Sequence, residues 1–164
     1  MNTEQYRRLR ILHVEDNVGD VRLIAEALRE TGRDHEIAVA FDGVEALDYL
    51  FRRGRYADAW RPELILLDLN LPKKGGIEVL AEINADKELR QIPVVVLTSS
   101  SAPQDISRAY ALHANSYVTK PADLNELFNV VGELEKYWAN GAKPPPCRLL
   151  RIGELGKNDE DLGR

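Results

Sequence analysis

The stretch Leu64-Ile65-Leu66-Leu67-Asp68-Leu69-Asn70-Leu71-Pro72 decides how this chain is read. Four apolar residues in succession make a strand buried on both faces, as in a parallel sheet covered by helices, rather than the alternating pattern of a half-exposed antiparallel strand. The run meets Asp68 just where Leu69-Asn70-Leu71-Pro72 breaks the strand, so a carboxylate emerges at the carboxyl end of a buried strand. In an open α/β sheet that edge is where ligands bind, close to the point at which strand order reverses. An acid there is either an ordinary loop residue or a group placed to act.

Similar units recur on both sides of this stretch. Strands are expected over residues 10–15, 35–40, 63–67, 94–97 and 116–119. Helical spacing follows each one. Val21, Ile24, Ala25 and Leu28 mark the first helix, Val44, Leu47, Leu50 and Phe51 the second, and Ile77, Val79, Leu80 and Ile83 the third. Residues 104–112 make a short fourth, and Leu124, Leu127, Val131, Leu134 and Trp138 form the apolar stripe of a fifth. The alternation predicts an α/β fold, a five-stranded parallel sheet with helices on both faces. Beyond Trp138, Gly141 and Pro144-Pro145-Pro146 cannot continue a helix. The expected division is a lead over 1–9, a folded domain over 10–140 and a proline-containing extension over 141–164.

Composition narrows the class. A chain of 164 residues with 44% hydrophobic and 30% charged residues suits one globular domain. The net charge of −5 argues against nucleic acid as a partner. Cys147 is the single cysteine, so no internal disulfide is expected. No apolar run approaches the roughly 18 residues of a membrane span, and the expected location is the cytoplasm.

The chemistry lies at the strand ends. The first strand runs into Glu15 and Asp16, so with Asp68 three carboxylates converge on one crevice. Their mutual repulsion asks for a positive charge, and a hard divalent cation such as Mg2+, which takes one or two carboxylates plus phosphate oxygens and waters, supplies it. Glu15 and Asp16 serve equally as a helix-start signal. A carboxylate such as Asp68 is a nucleophile without an activating base and can accept a phosphoryl group. Thr98 ends the fourth strand with a hydroxyl that either donates to phosphoryl oxygens or starts a turn. Lys120 follows the fifth strand and offers a phosphate-binding charge or a solvated loop lysine; Pro121 restricts its backbone.

In Val14-Glu15-Asp16, the Asp68 stretch, Val96-Leu97-Thr98-Ser99 and Tyr117-Val118-Thr119-Lys120-Pro121, the chain resembles the response-regulator receiver family from about residue 10 to 138. The resemblance implies a flavodoxin-like sheet in the order 2-1-3-4-5. It also implies a phosphoacceptor Asp68, metal ligands Glu15, Asp16, Asp68 and the backbone carbonyl of Asn70, and phosphoryl contacts from Thr98 and Lys120. Mg2+ is the metal implied, with Mn2+ or Ca2+ able to replace it in a crystal. Thr98 and Tyr117 would form a switch in which Tyr117 turns inward on phosphorylation. The partner would be a sensor histidine kinase, making the chain a signalling domain rather than an enzyme. Residues 41–56 look like the small single-domain receivers that serve phytochrome-type kinases, which makes a bacteriophytochrome a candidate partner. Two departures stand out: Glu15 replaces a common aspartate, and Lys73-Lys74-Gly75-Gly76 replaces a Met-Asp-Gly pattern.

Two other classes share parts of this pattern. Haloacid dehalogenase-type phosphatases place their nucleophile on the first strand with a second Asp two residues later, where this chain has Asn70. A flavodoxin-like binding module needs a phosphate-cradling loop after the first strand, where Glu15-Asp16-Asn17 would repel phosphate. A homodimer through the fourth helix, fifth strand and fifth helix is expected, because Phe128, Val130 and Tyr137 widen the apolar arc of the fifth helix. Leu149, Leu150, Ile152 and Leu155 would either cross to a partner or pack at home.

Overall fold

The structure, a computed structural model, describes residues 8–140. Strands β1 (Arg10–Val14), β2 (Glu36–Ala40), β3 (Leu64–Leu67), β4 (Val94–Thr98) and β5 (Ser116–Thr119) pair in parallel in the order β2-β1-β3-β4-β5. They alternate with α1 (Val18–Arg29), α2 (Gly43–Leu50), α3 (Gly76–Ala85), α4 (Pro103–Ala111) and α5 (Leu124–Ala139). The chain leaves β1 for β2 on one side and returns to β3 on the other, so the order reverses between β1 and β3. There Val14 pairs with Leu67, which sets Glu15 and Asp68 side by side at the carboxyl edge.

Alternate strand residues feed two separate cores. Leu12, Val14, Ile65, Leu67, Val94 and Val96 pack against α2, α3 and α4. Ile11, Leu64, Leu66, Val95 and Leu97 pack against α1 and α5. Each such side chain, fully buried, contributes about 1.5–3 kcal/mol. That is why four apolar residues in a row were needed in β3. The helix starts are set by short polar caps: Asn17, Asp42 and Asp123 accept hydrogen bonds from the backbone N–H of Asp20, Glu45 and Glu126.

Several expectations shift. Glu15, His35 and Glu63 fall just outside their strands, Thr98 lies inside β4, and α4 begins at Pro103, whose fixed φ suits a first helical position. Val44 and Leu124 do not join the core stripes; they are 42% and 52% exposed. Both stand in the first turn of their helices, where the chain has just left the carboxyl-edge loops. Core packing also begins before residue 10, since Leu9 is buried, its carbonyl accepts the Glu36 N–H and its own N–H donates to the His35 ring. Residues 1–7 of the expected lead and the extension over 141–164 lie outside the described residues. None of the described helices is long and apolar enough to cross a membrane.

At the opposite edge of the sheet, α5 carries a buried acid that the sequence reading passed over. Glu135 is 2% exposed and accepts from Arg33 Nη1 at 2.8 and 3.0 Å. His35 Nδ1 accepts the Leu9 N–H at 2.8 Å, which leaves Nε2 as the donor to Glu135 at 3.0 Å. This cluster ties α5 to the segment between α1 and β2.

Candidate phosphoacceptor and metal site

Asp68 follows the last β3 residue, and its backbone N–H still donates to the Val14 carbonyl at 3.0 Å, so the sheet itself holds the residue in place. Its side chain is buried, as is that of Glu15, whereas Asp16 is exposed. One carboxylate oxygen from each of the three lies within 4.8 Å of the others. Asn70 donates its backbone N–H to Asp68 Oδ1 at 3.3 Å, which folds the β3–α3 loop back over the acid. Thr98 is fully buried on the next strand; its hydroxyl helps hold the Asp68 carboxyl down and accepts the Ser100 N–H at 3.4 Å.

Lys120 comes in from β5. Its backbone N–H donates to the Thr98 carbonyl at 2.7 Å, which anchors the lysine to the end of β4. The ammonium donates to Glu15, to Asp20 Oδ2 at 2.9 Å and to Asp68 Oδ2 at 3.4 Å. Glu15, Asp16, Asp68 and Lys120 come together at this edge, Asn70 reaches Asp68 through its backbone N–H, and Tyr117 lies apart on Ser100. Asp20 is an addition. It stands one turn into α1 from the Asn17 cap, and the spacing Asn17 to Asp20, a cap followed by an acid in the first turn, was the available signal.

The electrostatics follow from burying several acids around one lysine. Burial pushes Glu15 up to about 7, aided by the facing Asp68 carboxyl and opposed by Lys120. Burial would raise Asp68 too, but hydrogen bonds from Thr98 and Glu15, the Lys120 charge and the Asn70 N–H hold it below the usual carboxylate range. Burial opposes the Lys120 charge, yet Glu15, Asp20 and Asp68 keep it well above the usual lysine range. His13, beneath the site on β1, is driven down to about 4 by burial and by Lys120, so it is neutral. Asp68 is therefore held toward its ionised form beside Glu15, a carboxyl held toward its protonated form. Three convergent carboxylate oxygens of this kind fit a hard divalent cation.

Tyr117 is directed inward: it is 8% exposed, and its hydroxyl donates to the Ser100 carbonyl at 2.8 Å. In this position the tyrosine bridges β5 to the segment preceding α4. Phe128, Val130 and Tyr137 are half-buried against the α1–α5 core rather than forming a separate exposed stripe. The departing loop is held by ion pairs from Lys73 to Asp42 at 3.4 Å and from Lys74 to Glu82 at 2.5 Å.

Comparison with known proteins places the whole domain. Residues 11–132 match the response regulator receiver domain family. Response regulator Rcp1 of Synechocystis sp. is 48% identical over 128 residues, covering 78% of this chain and 87% of Rcp1. A crystal structure of its Mn2+-bound form superposes with a TM-score of 0.79 at 46% identity, covering 84% of this chain and 99% of the other. The phosphorylated cyanobacterial phytochrome response regulator RcpA gives 0.80 at 51% identity, with coverage of 84% and 98%. The bacteriophytochrome response regulator AtBRR gives 0.66 at 44% identity, with coverage of 81% and 96%. From β1 into α5, fold and sequence relationship coincide, and the chain belongs to the response regulator receiver domain family of two-component signalling.

Proposed function

We propose that Asp68 accepts a phosphoryl group from the phosphohistidine of a sensor kinase, with Mg2+ held by Glu15, Asp16, Asp68 and the Asn70 carbonyl. The single observation that carries this reading is the convergence of three acid oxygens within 4.8 Å beside Lys120 and Thr98. An Asp68 oxygen attacks phosphorus as the bond from phosphorus to the kinase imidazole nitrogen breaks, and the released nitrogen takes up a proton. Bound Mg2+ supplies charge neutralisation between the acids and the incoming phosphoryl oxygens. Thr98 donates its hydroxyl to one of those oxygens, and Lys120, drawn off Glu15 and Asp20, pairs with another. The chain then acts as a cytoplasmic signalling domain that catalyses only its own phosphorylation and dephosphorylation.

Kinship with RcpA and AtBRR supports a phytochrome-type histidine kinase as the donor. Output through α4, β5 and α5 is supported by the Tyr117 to Ser100 bridge. We also infer a homodimer through that face; Phe128 and Val130, only half-buried, leave apolar surface for it. Light scattering with and without beryllofluoride should show a dimer in at least one state, and a monomer in both would end that proposal. The central test is intact mass after incubation with acetyl phosphate or a phosphorylated kinase. Wild type should gain one phosphoryl group only when Mg2+ is present, and Asp68→Asn should gain none. An equally labelled variant would remove Asp68 from the role.

A further inference from the structure

We propose that Gly43, at the start of α2, is a positioning residue for the metal site, through the β3–α3 loop that presents Asn70. This rests on the proposed metal ligand set. A β-carbon on Gly43 would overlap the Lys74 carbonyl oxygen and stand 2.8 Å from both the carbonyl carbon and Cβ of Lys74. These atoms are mainly backbone, so no side-chain rotation relieves the overlap; the loop or the helix has to move. The Gly43 N–H also points to the Pro72 carbonyl at 3.5 Å, and Asp42 links the same two segments a second time. One Asp42 oxygen caps α2 at Glu45 N–H, 2.7 Å away, while the other pairs with Lys73 at 3.4 Å.

The loop cannot yield toward its other side. A β-carbon on Gly76 would stand 2.6 Å from Leu69 Cα, so α3 is seated directly on the backbone of the loop's first residues. Within the loop, Leu71 N–H and Gly76 N–H both donate to the Leu69 carbonyl, at 3.1 and 3.0 Å. Lys73 holds a left-handed φ of 66°, a conformation that favours glycine. Residues 69–75 are thus gripped between the first turns of α2 and α3, with Asn70 inside the grip. A displacement imposed at Lys74 travels along a short, hydrogen-bonded turn to the Asn70 carbonyl. Residues that orient metal ligands without touching the ion typically control affinity strongly.

The conformation of Gly43 itself is no obstacle to alanine, which is the better helix residue. Gly43→Ala therefore isolates the contact. In Mn2+ binding followed by electron paramagnetic resonance, the variant should bind roughly tenfold more weakly than wild type. In the metal-free protein, the amide signals of Asn70 and Leu71 should shift. Gly132→Ala, where a β-carbon meets nothing within 4 Å, should change neither. Equal Mn2+ affinity in a folded Gly43→Ala protein would overturn the proposal. If Gly43→Ala does not fold, Lys73→Gly carries the test, because it cuts the tie to Asp42 without adding an atom. It should weaken Mn2+ binding by roughly threefold, and an unchanged affinity would again overturn the proposal. Wild type that binds no Mn2+ would sink the ligand set as well, which separates that failure from failure of the grip alone.

Discussion

The Tyr117 hydroxyl donates to the Ser100 carbonyl at 2.8 Å, and Ser100 in turn donates its N–H to Thr98 Oγ1 at 3.4 Å. The Thr98 hydroxyl, which helps hold the Asp68 carboxyl down, is therefore two hydrogen bonds away from the Tyr117 ring. A phosphoryl group adds about two negative charges beside Thr98, and a state that binds them better is the state that phosphorylation favours. Amide spectra of wild type should change at Ser100 and Tyr117 on adding beryllofluoride, and those changes should vanish in Thr98→Ala. Tyr117→Phe should cost about 1 kcal/mol of stability for the lost hydrogen bond. Identical responses in wild type and Thr98→Ala would disconnect the two residues.

Val18 and Leu124 are 54% and 52% exposed, each at the head of a helix that rises from the edge carrying the acids. Large apolar side chains so placed suit contact with a kinase that must reach Asp68. Val18→Glu and Leu124→Glu should each slow transfer from the kinase by roughly tenfold. Labelling by acetyl phosphate, which needs no protein contact, should keep its rate. Loss of both activities together would instead indicate damage to the site.

Glu15 gives the metal-free protein a pH dependence of definite sign. Its carboxyl is raised from 4.5 to about 7, so between those values the folded chain holds a proton that the unfolded chain has released. Stability therefore falls as pH rises through this window. Asp68 acts the other way and lower down: held below 3.8, its contribution is present above that pH and is lost as pH falls through the folded value. Lys120, raised above 10.5, contributes below that pH and loses its effect only in strong alkali. Urea midpoints measured at about pH 5 and about pH 7.5 should decline in wild type and stay level in Glu15→Gln. Parallel slopes would assign the titration to another group.

Removing the Glu135 carboxylate leaves Arg33 and His35 without their shared buried acceptor. Breaking a buried pair on one side costs about 3 kcal/mol, so Glu135→Ala should lower the urea midpoint sharply without altering Mn2+ affinity at the far edge of the sheet. A loss below about 0.5 kcal/mol would place the cluster among ordinary surface pairs.

The sequence by itself determined the layers and which chemical groups share the carboxyl edge. Four apolar residues before Asp68 require a strand covered on both faces, and acids, a hydroxyl and a lysine at successive strand ends require a common edge. Local pattern carries that information because strand and helix periods are properties of neighbouring residues. What only the tertiary structure decided involves residues far apart in the chain. Asp20 became a partner of Lys120, 100 positions away, through the packing of α1 beside α5. Glu135, an acid that the helical pattern placed nowhere in particular, found Arg33 and His35 across the same packing. Gly43, to which the sequence reading gave no role, is the point where α2 rests on the Lys74 carbonyl. Val44 and Leu124 kept the apolar spacing of a core stripe yet stand exposed, because spacing sets the side of a helix while the sheet beneath sets how far that side is covered.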